Sequence, residues 1–160
     1  VTFIPGDAEQ LSFPSGQDLI VSCSALQWFV SPEQFFKRCN ALLSGHGYFA
    51  FSTFGKENLK EIAAVTGSGL HYYSLEELKK SLSMHYNIVT AGEERIRLTF
   101  ATPLDVLYHL KHTGVTAVCR QAWTKGDLQE FCDKYAKLFS CGNAVTLTYH
   151  PLYIIARKKP

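Results

Sequence analysis

The chain has 160 residues, 46% hydrophobic and 19% charged, with a formal net charge of +2. This composition excludes a disordered chain, and so small a charge gives no ground for nucleic-acid binding. No stretch approaches the ~20 apolar residues that cross a bilayer, and the opening VTFIPGDAEQ lacks the basic and apolar segments of a signal peptide.

Residues 1–4 form a short apolar run closed by Pro5-Gly6, which reads as a strand entering a loop. Residues 18–22 (DLIVS) form a second strand without polar alternation, as in a parallel sheet covered on both faces. A helix is predicted over 32–43, with Ser31 as N-cap, Pro32 in the first turn and Phe35, Phe36, Cys39, Leu42 and Leu43 on one face. Gly45-His46-Gly47 is expected to stop it, and 48–54 (YFAFSTF) to form the next strand, completing a strand–helix–strand unit.

A second amphipathic helix is predicted over 56–66, and a third after Ser74, with Glu77 as its capping-box partner. Residues 85–90 and 95–101 read as two strands in a hairpin-like section turning at Ala91-Gly92-Glu93. Helices follow over 103–111 and from Lys125 or Gly126 to 139, and a long final strand over 145–158 is interrupted at Pro151. The fold class is therefore α/β, with a mostly parallel sheet flanked by helices. Its divisions are expected at 1–66 for a core half, 67–144 for a lid or cap with the hairpin, and 145–160 for the closing strand.

Cys23, Cys39, Cys119, Cys132 and Cys141 are odd in number, widely spaced and without a CxxC pair. That pattern argues against zinc and for free thiols in a reducing cytoplasm. The six histidines show no HxxxH or HExxH spacing, so no metal ligand is expected. Cys23 has no histidine nearby in sequence and reads as a small buried hydrophobe rather than a nucleophile.

In open α/β sheets ligands bind beyond the carboxyl ends of the strands. Those positions hold Gly6-Asp7-Ala8, the stretch from Ser22 to Trp28, and Ser52-Thr53-Phe54-Gly55. A carboxylate, small polar groups, an amide and aromatics together suit a nucleoside-like ligand better than a metal.

IPGDAEQLSFPSGQDLIVSCSALQWF, followed by a helix and LLSGHGYFAFSTFG, resembles the second half of a class I methyltransferase domain. ALQW (Ala25 to Trp28), FSTFG (Phe51 to Gly55) with Leu59 and Glu61 after it, the segment from Leu107 to Ala117, and LTYHPLYIIARK (Leu147 to Lys158) narrow the likeness. In that order they resemble the malonyl-acyl-carrier-protein O-methyltransferases of biotin synthesis, along essentially the whole chain.

The resemblance implies an incomplete Rossmann-like sheet with a helical cap inserted before the last strand. It implies S-adenosylmethionine as cofactor, methyl transfer to the free carboxylate of a malonyl thioester, and malonyl-acyl carrier protein or malonyl-CoA as partner. Asp7, Ala8, Ser22, Cys23 and Gln27 would meet the cofactor. Trp28, Phe54, Tyr149 and His150 would line the substrate side. No catalytic residue is expected, because the acceptor carboxylate is already ionised at neutral pH.

Relatives commonly carry Asn where Cys23 stands. No GxGxxG or close variant occurs in the 160 residues, so the chain reads as a C-terminal part starting at the third strand and inactive by itself. The flank of the DLIVS strand would then be open, to be covered by residues 1–4 or shared in a dimer. Asp7 read without the resemblance is a turn residue, and Tyr149-His150 a bulge with one packed aromatic. Lys111, His112, Arg120 and Lys125 are either a docking face for an acidic carrier or plain solvated surface. The alternatives for the whole are another class I small-molecule methyltransferase or a non-catalytic binding domain of that fold.

Overall fold

The computed structural model describes residues 2–115 and 123–160. Cys119, Arg120 and the end of the motif reaching Ala117 lie outside them. In chain order the elements are β1 (Gln17–Cys23), a 3-10 turn (Leu26–Trp28), α1 (Pro32–Leu42), β2 (Leu43–Phe54), α2 (Lys60–Thr66), α3 (Leu75–Leu82) and β3 (Tyr86–Glu93). They continue with β4 (Ile96–Phe100), α4 (Pro103–His112), α5 (Lys125–Phe139), β5 (Ser140–Cys141), β6 (Ala144–Tyr149) and β7 (Pro151–Lys158). Two compact units result: one from Val1–Gly55, Tyr73–Glu93 and Leu152–Pro160, the other from Lys56–Tyr72 and Glu94–Pro151.

The first unit carries a four-stranded sheet in the order β1-β2-β7-β3. β1 and β2 run parallel, joined by α1 as the apolar spacing predicts, whereas β3 is antiparallel to β7. Phe35, Phe36 and Cys39 of α1 are buried with Phe49 and Phe51 of β2. The Phe36 and Phe51 rings stack at 5.6 Å. Tyr86 completes this core and donates its buried hydroxyl to Phe36 O at 2.8 Å, which satisfies both polar groups. Ser74 caps α3 in the predicted capping box with Glu77.

Gly45, His46 and Gly47 do not end a helix as expected; they belong to β2, which starts at Leu43. The pairing with β1 slips there, between Gln17 and Leu19. A Cβ at Gly47 would lie 2.8 Å from Gln17 O, so the close approach of the two strands demands glycine.

Residues 2–5 are not the expected strand and do not cover β1, which remains the edge of its sheet. Phe3 is 88% exposed. The apolar run is too short to hold its place without a ladder partner on its far side.

The second unit carries a three-stranded antiparallel sheet, β4-β6-β5, against which α2, α4 and α5 pack. Val106, Leu110, Phe131, Tyr135 and Leu147 form its core with Leu59 and Ile62. Tyr135 donates its buried hydroxyl to Thr146 O at 2.7 Å.

The hairpin expected at Ala91-Gly92-Glu93 is absent: β3 pairs with β7 and β4 with β6, in different sheets. The long final strand likewise divides at Pro151 into β6 and β7, which belong to different sheets. The parallel character is thus confined to β1 and β2 among the strand pairs whose register is described.

The helix expected from Lys56 begins at Lys60. Leu59 takes a left-handed conformation (φ 53°) and donates its N–H to Thr148 O at 2.8 Å. Asn58 is buried between Tyr72 Oη (3.0 Å) and the His150 N–H (3.2 Å). These tertiary bonds override local helix propensity.

Candidate functional site

The parallel pairing of β1 and β2 brings Cys23 opposite Ser52, so the segments that follow open on the same edge of the sheet. The loop after β1 is tied down at once. Ser24, left-handed at φ 49°, donates its N–H to Ser52 O (3.0 Å) and lies 3.2 Å from Ser52 Oγ. Gln27 accepts from Thr53 Oγ1 at 3.1 Å and donates to Ser24 O. The oxygen of its amide therefore ties the loop to β2, and the nitrogen closes the loop on itself. A non-glycine residue held at positive φ carries a strain of roughly 1–3 kcal/mol, and such strain gathers where loop geometry serves a site.

Asp7 opens a compact turn. Its carbonyl accepts the N–H groups of Gln10 and Leu11, both at 2.9 Å, and its Oδ1 accepts the N–H of Glu9 at 2.9 Å. Gly6, at φ 151°, precedes it, and a Cβ there would come within 3.0 Å of the Leu11 side chain.

A cavity of about 440 Å³ lies along β1 in this unit. Ala8 lines it from the turn, Ser22 and Cys23 from the end of β1, Phe29 from the segment leading into α1 and Phe35 from α1 itself. Three of the five residues expected to meet a cofactor thus share one cavity. Ser22 is buried and Cys23 exposed. Asp7 stands exposed beside Ala8, and Gln27 is occupied in the stitch just described.

Trp28 is 47% exposed, and Phe54 ends β2 half-buried. Mostly apolar walls, small side chains and a nearby carboxylate can hold a flat heteroaromatic ring and accept from its exocyclic amine.

Tyr149 and His150 belong to the second unit. Tyr149 is half-buried with its hydroxyl 2.9 Å from His109 Nε2. Burial raises its pKa, partly offset by a hydrogen bond with Thr113. His109, half-buried on α4, thus faces this hydroxyl. His150 is buried, and its Nδ1 accepts the Glu57 N–H at 3.1 Å, which puts the ring proton of the neutral form on Nε2.

Sequence reasoning missed Glu9 and Arg38. Glu9 accepts from the N–H groups of Val30 and Ser31, each at 2.8 Å, and Arg38 donates to the carbonyls of Glu9 and Leu11. No local spacing signals bonds made across 21 to 29 residues. Among the described residues no helix is long and apolar enough to cross a membrane.

A family model described as a methyltransferase domain matches residues 1–51. A malonyl-[acyl-carrier protein] O-methyltransferase of Bacteroides thetaiotaomicron is 56% identical over 99% of the chain, and one of Bacteroides fragilis 58% identical over 99%. The chain spans 65% of the former's length and 33% of the latter's. A solved Bacillus halodurans protein assigned as a methyltransferase shares the fold with a TM-score of 0.68 at 16% identity, covering 100% of this chain and 78% of that one. Along nearly its whole length the chain is similar in sequence to these malonyl-[acyl-carrier protein] O-methyltransferases.

Proposed function

We propose that the chain serves transfer of a methyl group from S-adenosylmethionine to the free carboxylate of a malonyl thioester. The observation that carries this reading is the meeting of Ala8, Ser22 and Cys23 on one cavity, in a chain 56% identical to a malonyl-[acyl-carrier protein] O-methyltransferase.

The cofactor supplies an activated methyl group when bound. Asp7 accepts the adenine amine, the Ala8 backbone meets the ring edge, and Phe29 and Phe35 provide apolar walls. Ser22 and Cys23 border the far end of the cofactor, with Gln27 holding their loop in place. Asp7, Ala8, Phe29 and Phe35 suit the adenine end. The chain has no glycine-rich loop for the methionine end, so the 160 residues by themselves are expected to be inactive.

The acceptor carboxylate is ionised at neutral pH, so no side chain has to remove a proton from it. The protein's share is alignment of the acceptor and exclusion of water. Trp28, Phe54, Tyr149 and His150 are the residues we assign to the acyl side. Lys111, His112 and Lys125 are assigned to steering an acidic carrier protein. Masking the malonyl charge as an ester lets the product be extended as an ordinary acyl chain, which is the step's use in biotin synthesis.

The test is transfer of labelled methyl from S-adenosylmethionine to malonyl-acyl carrier protein and to malonyl-CoA, by the chain and by the longest product of its reading frame. The expected result is an alkali-labile methyl ester formed by the longest product. Label on an acceptor without a malonyl group would favour a different small-molecule methyltransferase. No transfer to any acceptor would leave only a binding domain.

A further inference from the structure

Residues 2–16 contain one turn and no helix or strand. They nevertheless present Asp7 and Ala8, and a chain this irregular holds one conformation only if something fixes it. The fixing is done from two places, just ahead of α1 and in its middle. The Glu9 carboxylate accepts the N–H groups of Val30 and Ser31, one per oxygen, each at 2.8 Å, just ahead of the first residue of the helix. A carboxylate there also meets the positive end of the helix dipole.

From the middle of the same helix, Arg38 donates Nη1 to Glu9 O and Nη2 to Leu11 O. The rigid fork of the guanidinium spans two carbonyls that lie two residues apart, which the single point charge of a lysine does not reproduce. Between these anchors the turn closes on Asp7 O, through Gln10 N and Leu11 N. Glu9 does not line the cavity and acts on a ligand there only through the turn; Arg38 does line it, so the Glu9 variant is the one that isolates the positioning effect from direct contact.

We infer that Glu9 and Arg38 are positioning residues that latch the Asp7–Ala8 turn onto α1 in the conformation that reads an adenine ring. The inference rests on the adenine role proposed above for Asp7. Without the latch the turn samples other conformations, and a ligand must order it on binding, which weakens affinity. The weakening is selective, because only a fixed Asp7 carboxylate distinguishes an amine from a carbonyl on the purine.

The test uses the longest product of the reading frame and two variants, Glu9→Gln and Arg38→Met. Amide hydrogen exchange is read at Gln10 and Leu11, and affinity is measured for S-adenosylhomocysteine and for S-inosylhomocysteine, its hypoxanthine counterpart. The latch predicts faster exchange at both amides, unchanged protection of the core strands, and affinity for the adenine ligand roughly tenfold weaker. It further predicts that preference for adenine over hypoxanthine falls toward one, a change that general destabilisation would not produce.

Unchanged exchange at Gln10 and Leu11 in both variants overturns the latch. Faster exchange with undiminished preference for adenine overturns its positioning role. A wild-type protein that does not distinguish the two ligands removes the adenine reading itself, and the positioning role with it, before any variant is made.

Discussion

Glu61 and Thr148 meet in a fully buried pair of hydrogen bonds: the carboxylate accepts the Thr148 N–H at 3.0 Å through one oxygen and its hydroxyl at 2.6 Å through the other. This pair joins α2 to β6, and the Leu59 N–H reinforces it by donating to Thr148 O. Replacing Glu61 by Ala strands two buried donors and should cost about 3 kcal/mol of stability. Glu61→Gln keeps an acceptor for the N–H, and the Thr148 hydroxyl can rotate to accept from the amide. Its cost should stay within about 1 kcal/mol. Urea unfolding of the two variants checks the order; equal losses would mean that the charge matters more than the bonds.

Glu57 is held by Arg95, whose Nε lies 2.5 Å away, and by Lys60 at 2.9 Å. The hydrogen bond from Arg95, followed by that from Lys60, lowers its pKa from 4.5 to about 2. A depressed carboxylate stabilises the folded state above its unfolded pKa, and that contribution fades as pH falls through the folded value. The link should therefore be intact above pH 4.5 and be lost between about 4.5 and 2. A carbon-detected NMR titration of the Glu57 carboxyl should show the low value, and Arg95→Ala should move it back toward 4.5 further than Lys60→Ala does.

The four free thiols among the described residues should differ sharply in reactivity. Cys39 is buried in the core of the first unit, and burial pushes its thiol up to about 12 despite the nearby Arg38 charge. Cys23 and Cys141 are exposed. Because the thiolate is the reactive form, iodoacetamide at pH 8 should label Cys23 and Cys141 while Cys39 stays unmodified until the protein unfolds. Cys132, partly buried and with its pKa raised by burial, should fall between them. Peptide mapping against time measures all four rates, and early labelling of Cys39 would contradict the packing around α1.

What the sequence makes legible is what depends on neighbours in the chain. Pro32 and the apolar face behind it announce α1, and Ser74 with Glu77 announces α3, because both signals lie within a few residues of the structure they set. Ala91-Gly92-Glu93 looks like a turn, yet choosing β7 rather than β4 as the partner of β3 depends on residues some sixty positions away. The delayed start of α2 is equally illegible, since Asn58 and Leu59 answer to His150 and Thr148. In the candidate site, Ser22 and Cys23 could be placed at a strand end from the pattern alone, whereas Ala8 sits on a turn that no strand precedes. Glu9 and Arg38 could not, because the partners of Glu9 lie just ahead of α1 and those of Arg38 on the distant turn.

Cys23 offers the sharpest check of the cavity itself. Its side chain is exposed at the end of β1 and borders the space shared with Ala8 and Ser22, so enlarging it fills the cavity without crowding the core. Cys23→Phe should then abolish S-adenosylhomocysteine binding in a calorimetric titration of the longest reading-frame product, with little change in unfolding midpoint. Cys23→Ala should bind within a few-fold of wild type, because no reactive thiol is required there. Cys23→Asn supplies an additional donor and acceptor at the same point and should bind at least as tightly. Equal binding by the Phe variant would mean that the cofactor does not enter this cavity, and the roles proposed for Ala8 and Ser22 would fall together with that of Cys23.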